Sequence, residues 1–449
     1  MTRFRHATIG LLTTTATLIA MPSLAQSSSA ELESRLEQLE AVIAELQGEL
    51  AEMRKIADEM PVLLQAQADR LAPEDKGSQT TPNSEGFTLG DTTFKIGGFV
   101  DLDTHVTRLS DGAIASGSIA RDFYIPSVTP VGAGAGTTVT DLTAQASRLS
   151  FSAERGEGAD KALGFVEMDF LGSMQGNERV SNSYALRLRR AFLDYKGFRV
   201  GQEWSTFQNT SAIPESASFL VLSDGMSFVR QPMIRYTNGN LQVALESGNA
   251  TITPASGAGR IEADGNLIPD VIARYNLSGD YGNVSLAAIG RQLRLETGAT
   301  DESTFGFGVS ASGRIKIGEK DDIRFNAIAG EGMGRYVGLN ALNGAALNPA
   351  TGELEAISSY GGLIAWRHPF GETSRFNVGY SALFADNPDF LTTLNPAATQ
   401  SVQSAYAAVL WDIAPKVTLG VEGLWGIKTL ENDTSGAIQR FTFSTKYGF

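Results

Sequence analysis

The sequence predicts an all-β transmembrane barrel of about 16 antiparallel strands, preceded by an α-helical coiled-coil segment. Beyond residue 90, apolar and polar side chains alternate with a period of two in many segments of about 8 to 12 residues, the length a tilted strand needs to cross a bilayer. Short turns and long loops alternate between these segments. No stretch after residue 25 reaches the roughly 18 consecutive apolar residues of a membrane helix, so any crossing must be made by strands.

At the N-terminus, Arg3, Arg5 and His6 form a charged start, Ile9 to Ala20 a short apolar run, and Ser23-Leu24-Ala25 a small-x-small cleavage signal. Residues 1–25 therefore read as a secretory signal peptide, with a buried N-terminal helix as the competing reading. Loss of Arg3 and Arg5 would take the formal charge from −14 to −16. An acidic chain argues against nucleic acid as a partner. With no Cys among 449 residues there is no disulfide support and no thiolate metal ligand, which suits a chain that crosses an oxidising compartment unfolded.

From residue 26 to 64 the apolar positions Leu32, Leu36, Leu39, Ile43, Leu46, Leu50 and Met53 step by four and three. This heptad seam is narrow and has charged flanks, so a second copy of the chain is the expected partner; a helix lying on its own domain is the alternative. Pro61 ends or kinks it. Residues 65–93 are polar, carry Pro73 and Pro82, and read as a linker.

The barrel is expected over 94–449. Candidate strands are 94–103, 146–153, 162–171, 184–195, 198–204, 230–237, 240–248, 270–277, 283–291, 303–314, 322–331, 358–367, 374–384, 401–411, 416–427 and 438–449. The last shows the pattern best: Phe441, Phe443, Tyr447 and Phe449 alternate with Arg440, Thr442, Ser444, Lys446 and Gly448. A soluble sandwich can alternate in the same way, but it seldom yields so many strands of this length with aromatics near both ends. Lys196-Gly197, Asn238-Gly239 and Ala414-Pro415 read as short turns, and 104–145, 205–229, 249–269 and 332–357 as long loops. A terminal Phe449 on an ordered aromatic strand reads as a signal for insertion into the outer membrane, where lipid and lipopolysaccharide would be neighbours.

If the apolar faces meet lipid, the opposite faces meet water. Parity then puts Arg148, Arg187, Arg189, Arg235, Arg274, Arg291, Arg314 and Arg324 in the lumen, and a bulge between Arg189 and Arg190 would bring Arg190 in as well. Guanidinium groups along one wall would draw in carboxylates and other small anions through forked hydrogen bonds. The competing reading is that they pair with the lumenal acids Asp101, Asp103, Glu167, Asp169, Glu203, Glu246 and Glu422 and only stiffen the wall. The loop 205–229 holds Phe207, Phe219 and Phe228, which is apolar for an outer loop. It is expected to fold inward as a constriction, bringing Glu215 and Asp224 near the narrowing with Arg230 at its exit. Packing against a neighbouring protomer is the alternative.

Nothing points to catalysis. After residue 25 the only histidines are His105 and His368, with no metal spacing between them, and no phosphate-binding or dinucleotide fingerprint occurs. No cofactor is expected. The remaining functional readings are a pore for small hydrophilic solutes, with or without charge preference, and a structural anchor whose coiled coil tethers periplasmic partners.

Five stretches carry a resemblance: Gln145-Ala146-Ser147-Arg148-Leu149-Ser150-Phe151, Gly164 to Phe170, Leu186-Arg187-Leu188-Arg189-Arg190-Ala191-Phe192, Val200 to Phe207 and Arg230 to Tyr236. These, with the order of signal, coiled coil and barrel, resemble the DcaP-like outer-membrane porins. The resemblance implies a homotrimer of 16-stranded barrels with a periplasmic coiled coil, favouring negatively charged small molecules such as dicarboxylates. It singles out Arg148, Arg187, Arg189, Arg190, Arg230 and Arg235, whereas Arg274, Arg291, Arg314 and Arg324 rest on strand parity alone.

Overall fold

The computed structural model describes residues 86–172, 181–298 and 300–449. The expected signal peptide, the coiled-coil helix and the linker up to residue 85 lie outside the described residues. Sixteen antiparallel strands close into a ring. They are β1 Thr92–Leu109, β2 Arg148–Arg155, β3 Ala162–Asp169, β4 Arg187–Tyr195, β5 Phe198–Trp204, β6 Arg230–Asn238, β7 Leu241–Glu246 and β8 Asp270–Gly279. The second half comprises β9 Gly282–Thr297, β10 Thr300–Ile317, β11 Asp321–Glu331, β12 Ser358–Phe370, β13 Ser374–Asp386, β14 Thr399–Ala414, β15 Val417–Leu430 and β16 Ser435–Gly448. The seam runs from Phe99↔Gly448 to Leu109↔Ile438. Closure leaves no strand edge unpaired in the lipid.

Side-chain alternation orients each strand. In β1 the inward Asp101, Asp103, His105 and Thr107 are buried, while the outward Val100, Leu102 and Val106 are 41–56% exposed. In β16, Arg440, Thr442 and Ser444 point in, and Phe441, Phe443 and Tyr447 point out. At the end with the short turns, Tyr195, Phe198, Tyr236, Tyr281, Phe370, Tyr447 and Phe449 are all exposed, an aromatic girdle at one interface.

Most strand limits shift by a few residues from expectation, and several strands run longer, as Gly282–Thr297 does against an expected 283–291. Phe87–Leu89, read as linker, folds back on β1 as a hairpin, with Phe87 stacked on Phe94 at 5.3 Å. Strand β1 also begins earlier and runs further, because its outer half pairs with a separate strand, Thr138–Thr143, before its inner half meets β2. The Asn238-Gly239 signal does mark a two-residue hairpin, shifted by one. Asn238 pairs with Leu241, so Gly239 holds the first central position at φ 57, the placement of a type II′ turn. At Lys196-Gly197 both central residues have positive φ, 49 and 83, as type I′ requires.

The long loops fill and cap the barrel instead of standing away from it. Loops 249–269 and 332–357 contribute Ala250–Thr253, Ile261–Ala263, Ala345–Leu347 and Leu354–Ala356 to a four-stranded sheet. That sheet packs its Ile252, Ala345 and Leu354 on Leu293 and Leu295 of β9. Loops 110–130 and 205–229 bring Phe123, Tyr124, Leu220, Val221, Leu222 and Met226 against Leu363, Ala365, Tyr406 and Leu410 of the inner wall. A transmembrane barrel thus acquires an apolar core on one side of its interior.

Candidate functional site

The opposite side of the interior is a zipper of charges on β2 to β5. Asp169 accepts from Arg187 Nε and Nη2, both at 2.9 Å. Arg189, 1% exposed, donates to Glu167 at 2.7 Å and Asp169 at 2.6 Å. Arg190 forks onto Glu203 at 2.6 and 2.7 Å. Arg199, which sequence reasoning passed over, bridges Asp194 and Glu203. The register between β3 and β4 shifts at Glu167/Met168, where Arg190 pairs with Glu167 and Leu188 with Met168. Arg189 is the extra residue of a bulge, and both arginines reach the interior. In a low dielectric such forked pairs are held tightly and in fixed orientation.

Other arginines have no such compensation. Arg148 lies over the Phe99 ring at 5.0 Å, with Glu167 no nearer than 3.9 Å. Arg230 lies over Trp204 at 4.8 Å. Its neighbours Gln231, Met233 and Arg235 are buried while Pro232 and Ile234 are exposed, so Arg230 reaches the arginine group from the strand end and not by parity. Arg235 sits opposite Arg199 across β5 and β6, and Arg274 donates to the Gln208 carbonyl. Among the described residues no carboxylate comes within 4.0 Å of Arg230, Arg235 or Arg274. Arg235 and Arg199 line a cavity of about 800 Å³ at the short-turn end, together with Lys161, Lys196 and two aspartates.

The loop 205–229 turns into the barrel and is tied to the far wall. Glu215 takes Arg367 at 3.0 Å and Arg375 at 2.7 Å. Glu422 accepts from Ala217 N and Ser218 Oγ. Gly225 donates to Ser381 and accepts from Asn326. At its apex Phe219 faces the zipper, 5.5 Å from the Arg189 guanidinium, with Trp204, Phe228 and Phe123 around it. Phe207, by contrast, is buried against Tyr336 and faces no opening.

Three further expectations need correction. Asp224 does not border a water path: it is fully buried, accepts from Tyr124 Oη at 2.8 Å and from Ser404, and so fastens two inward loops to the wall. Burial pushes its carboxyl up to about 6. Arg291 is likewise sealed, 1% exposed, beside Asp270 and the Gly332, Met333 and Asn249 carbonyls. Arg314 and Arg324 share Asp322, and Arg324 also holds the Ile213 carbonyl, so these two buttress the loop. Arg367 and Arg375 do the same and were not singled out, although Arg375 was legible on the polar face of its strand. His105 is buried beside Thr442, and His368 binds Asp321 at a short turn. Phe449 sits at the barrel edge with its N–H on the Gly98 carbonyl at 3.1 Å.

A family model described as DcaP outer membrane protein matches residues 106–449. Among solved structures, the chain is similar to the outer membrane channel DcaP of Acinetobacter baumannii, with 22% identity and a TM-score of 0.68 over 81% of this chain and 100% of that one. It is also similar to OmpT of Vibrio cholerae at 12% identity and a TM-score of 0.48, over 81% and 100% of the two chains. An anion-selective porin from Comamonas acidovorans matches at 11% and 0.48, over 80% and 100%. No curated protein sequence matches.

Proposed function

Because the chain belongs to the DcaP outer membrane protein family, we propose that it is an outer-membrane porin through which small hydrophilic solutes diffuse passively, with a preference for anions. The observation that carries the preference is the set of interior guanidiniums without a carboxylate in reach: Arg230, Arg235 and Arg274, joined by the loosely paired Arg148. Fixed positive charge in a narrow, partly apolar passage lowers the entry barrier for anions, and several weak sites in series allow exit. Arg187, Arg189 and Arg190 act mainly as scaffold, since their forks are filled by Asp169, Glu167 and Glu203.

A pore without charge preference is the second reading. It is favoured by the same pairing, which neutralises most of the zipper. Reversal potential across a planar bilayer in a KCl gradient separates the two. Anion preference is expected in the parent protein, and the Arg235→Ser/Arg274→Ser double variant should move the reversal potential toward zero with conductance retained. No anion bias in the parent would leave the general pore, and a closed barrel would leave the structural anchor. Self-association through the heptad seam of 26–64, placed in the periplasm, completes the proposal, with lipid and lipopolysaccharide around the barrel and Phe449 read during insertion.

A further inference from the structure

At the long-loop end, where β9 and β10 carry the four-stranded cap, a second cavity of about 340 Å³ opens between loops 249–269, 332–357 and 387–398. Two cations line it. Arg260 stands exposed at its rim, with Nε on Asn343 Oδ1 and Nη2 on the Asn340 carbonyl, both at 2.7 Å. Lys428 of β15, half-buried, donates to the Ser127 carbonyl at 2.9 Å. Both are held by neutral oxygens, which fix their orientation, and among the described residues no carboxylate lies within 4.0 Å of either. Among the described residues no carboxylate lines this cavity. Glu431 is turned onto Asn387 at 2.7 Å, and Glu262, the acid acting on Arg260, is not part of the lining. The remaining polar lining includes the carboxamides of Asn387 and Asn395, and the floor includes Leu342 and Leu391.

We propose that this cavity is a capture site for a small solute bearing an oxyanion, carboxylate or phosphate, at the outer mouth of the passage, a step ahead of Arg230, Arg235 and Arg274. The inference deepens the porin reading and rests on it for its purpose, but not for its binding chemistry. A concave site with two oriented cations and a low-polarity floor concentrates the potential at one point. The Arg260 guanidinium and the unused Lys428 protons would each give an anion charge-assisted hydrogen bonds. The carboxamides suit neighbouring hydroxyls on the same solute. Weak binding there raises the local concentration of solute without trapping it.

Isothermal titration of the detergent-solubilised full-length protein with gluconate, and separately with inorganic phosphate, tests this, alongside bilayer conductance in KCl. Saturable binding of at least one probe is expected. The Arg260→Gln/Lys428→Gln variant should weaken it about tenfold or more, Arg260→Lys should retain part of it, and the melting temperature should match that of the parent. Binding of gluconate alone, phosphate alone or both tells a carboxylate solute from a phosphate ester or a general oxyanion site. Absence of binding in the parent, or equal binding in the double variant, overturns the proposal. A parent that binds but does not conduct would instead sink the porin reading and leave the capture site standing.

Discussion

Arg189 and Asp224 are both buried charges at loop–wall contacts, yet their surroundings make opposite demands on them. Arg189 has two carboxylates within 2.7 Å. Replacing it with Met would leave Glu167 and Asp169 short of a donor, although Arg187, Arg190 and Arg148 remain nearby. The expected loss is about 1.5–3 kcal/mol, seen as a lower urea midpoint of the detergent-folded barrel, whereas Arg235→Ser and Arg274→Ser should leave that midpoint nearly in place. The donors to Asp224 are uncharged, and burial raises its carboxyl from 3.8 to about 6. A folded-state value above the unfolded one means that this contribution to stability is full below pH 3.8 and is lost as pH rises through about 6. Thermal unfolding between pH 4 and 7 should therefore show a falling melting temperature, and Asp224→Asn, uncharged throughout, should flatten that slope. An identical slope in the variant would remove Asp224 as its source.

Among the elements, the strands were legible in the sequence and the paths of the loops were not. Period-two alternation is a local signal, so β13 could be read from Phe376, Val378 and Tyr380, and the Arg189-Arg190 bulge from a change of parity within one segment. Where a loop goes depends on partners far away in the chain. Glu422 receiving Ala217 and Ser218, or Gly225 lying against Gly362, leaves no mark on the neighbouring sequence. The aromatic content of 205–229 suggested an inward course but could not tell Phe219, which faces the zipper, from Phe207, which is sealed. Gly225 gives the sharpest test of the loop's attachment. A Cβ there would lie 2.1 Å from the Gly362 carbonyl oxygen, and backbone cannot yield. Gly225→Ala should dislodge this part of the loop, changing single-channel conductance and lowering the melting temperature. Unchanged values of both would show that the loop does not bear on the passage.

For the molecule as a whole, closure and delivery are separable physical problems. The seam between β1 and β16 is a continuous run of backbone pairing from Leu109↔Ile438 to Phe99↔Gly448, and Phe449 adds one further hydrogen bond to the Gly98 carbonyl. The residue is 43% exposed and its ring centroid lies 6.4 Å from that of Tyr447, so little packing depends on it. Removing Phe449 should cost the finished barrel about 1 kcal/mol at most, one net hydrogen bond, and the detergent-refolded protein should melt close to the parent. If the terminal aromatic is read during insertion, the amount reaching the outer membrane of cells should fall severely for the same deletion. The two measurements then diverge, as only a recognition role predicts. Parallel losses in refolding and in cells would make Phe449 a structural residue, and no loss in either would leave it without a role, because the pairing that closes the barrel is complete at Gly448.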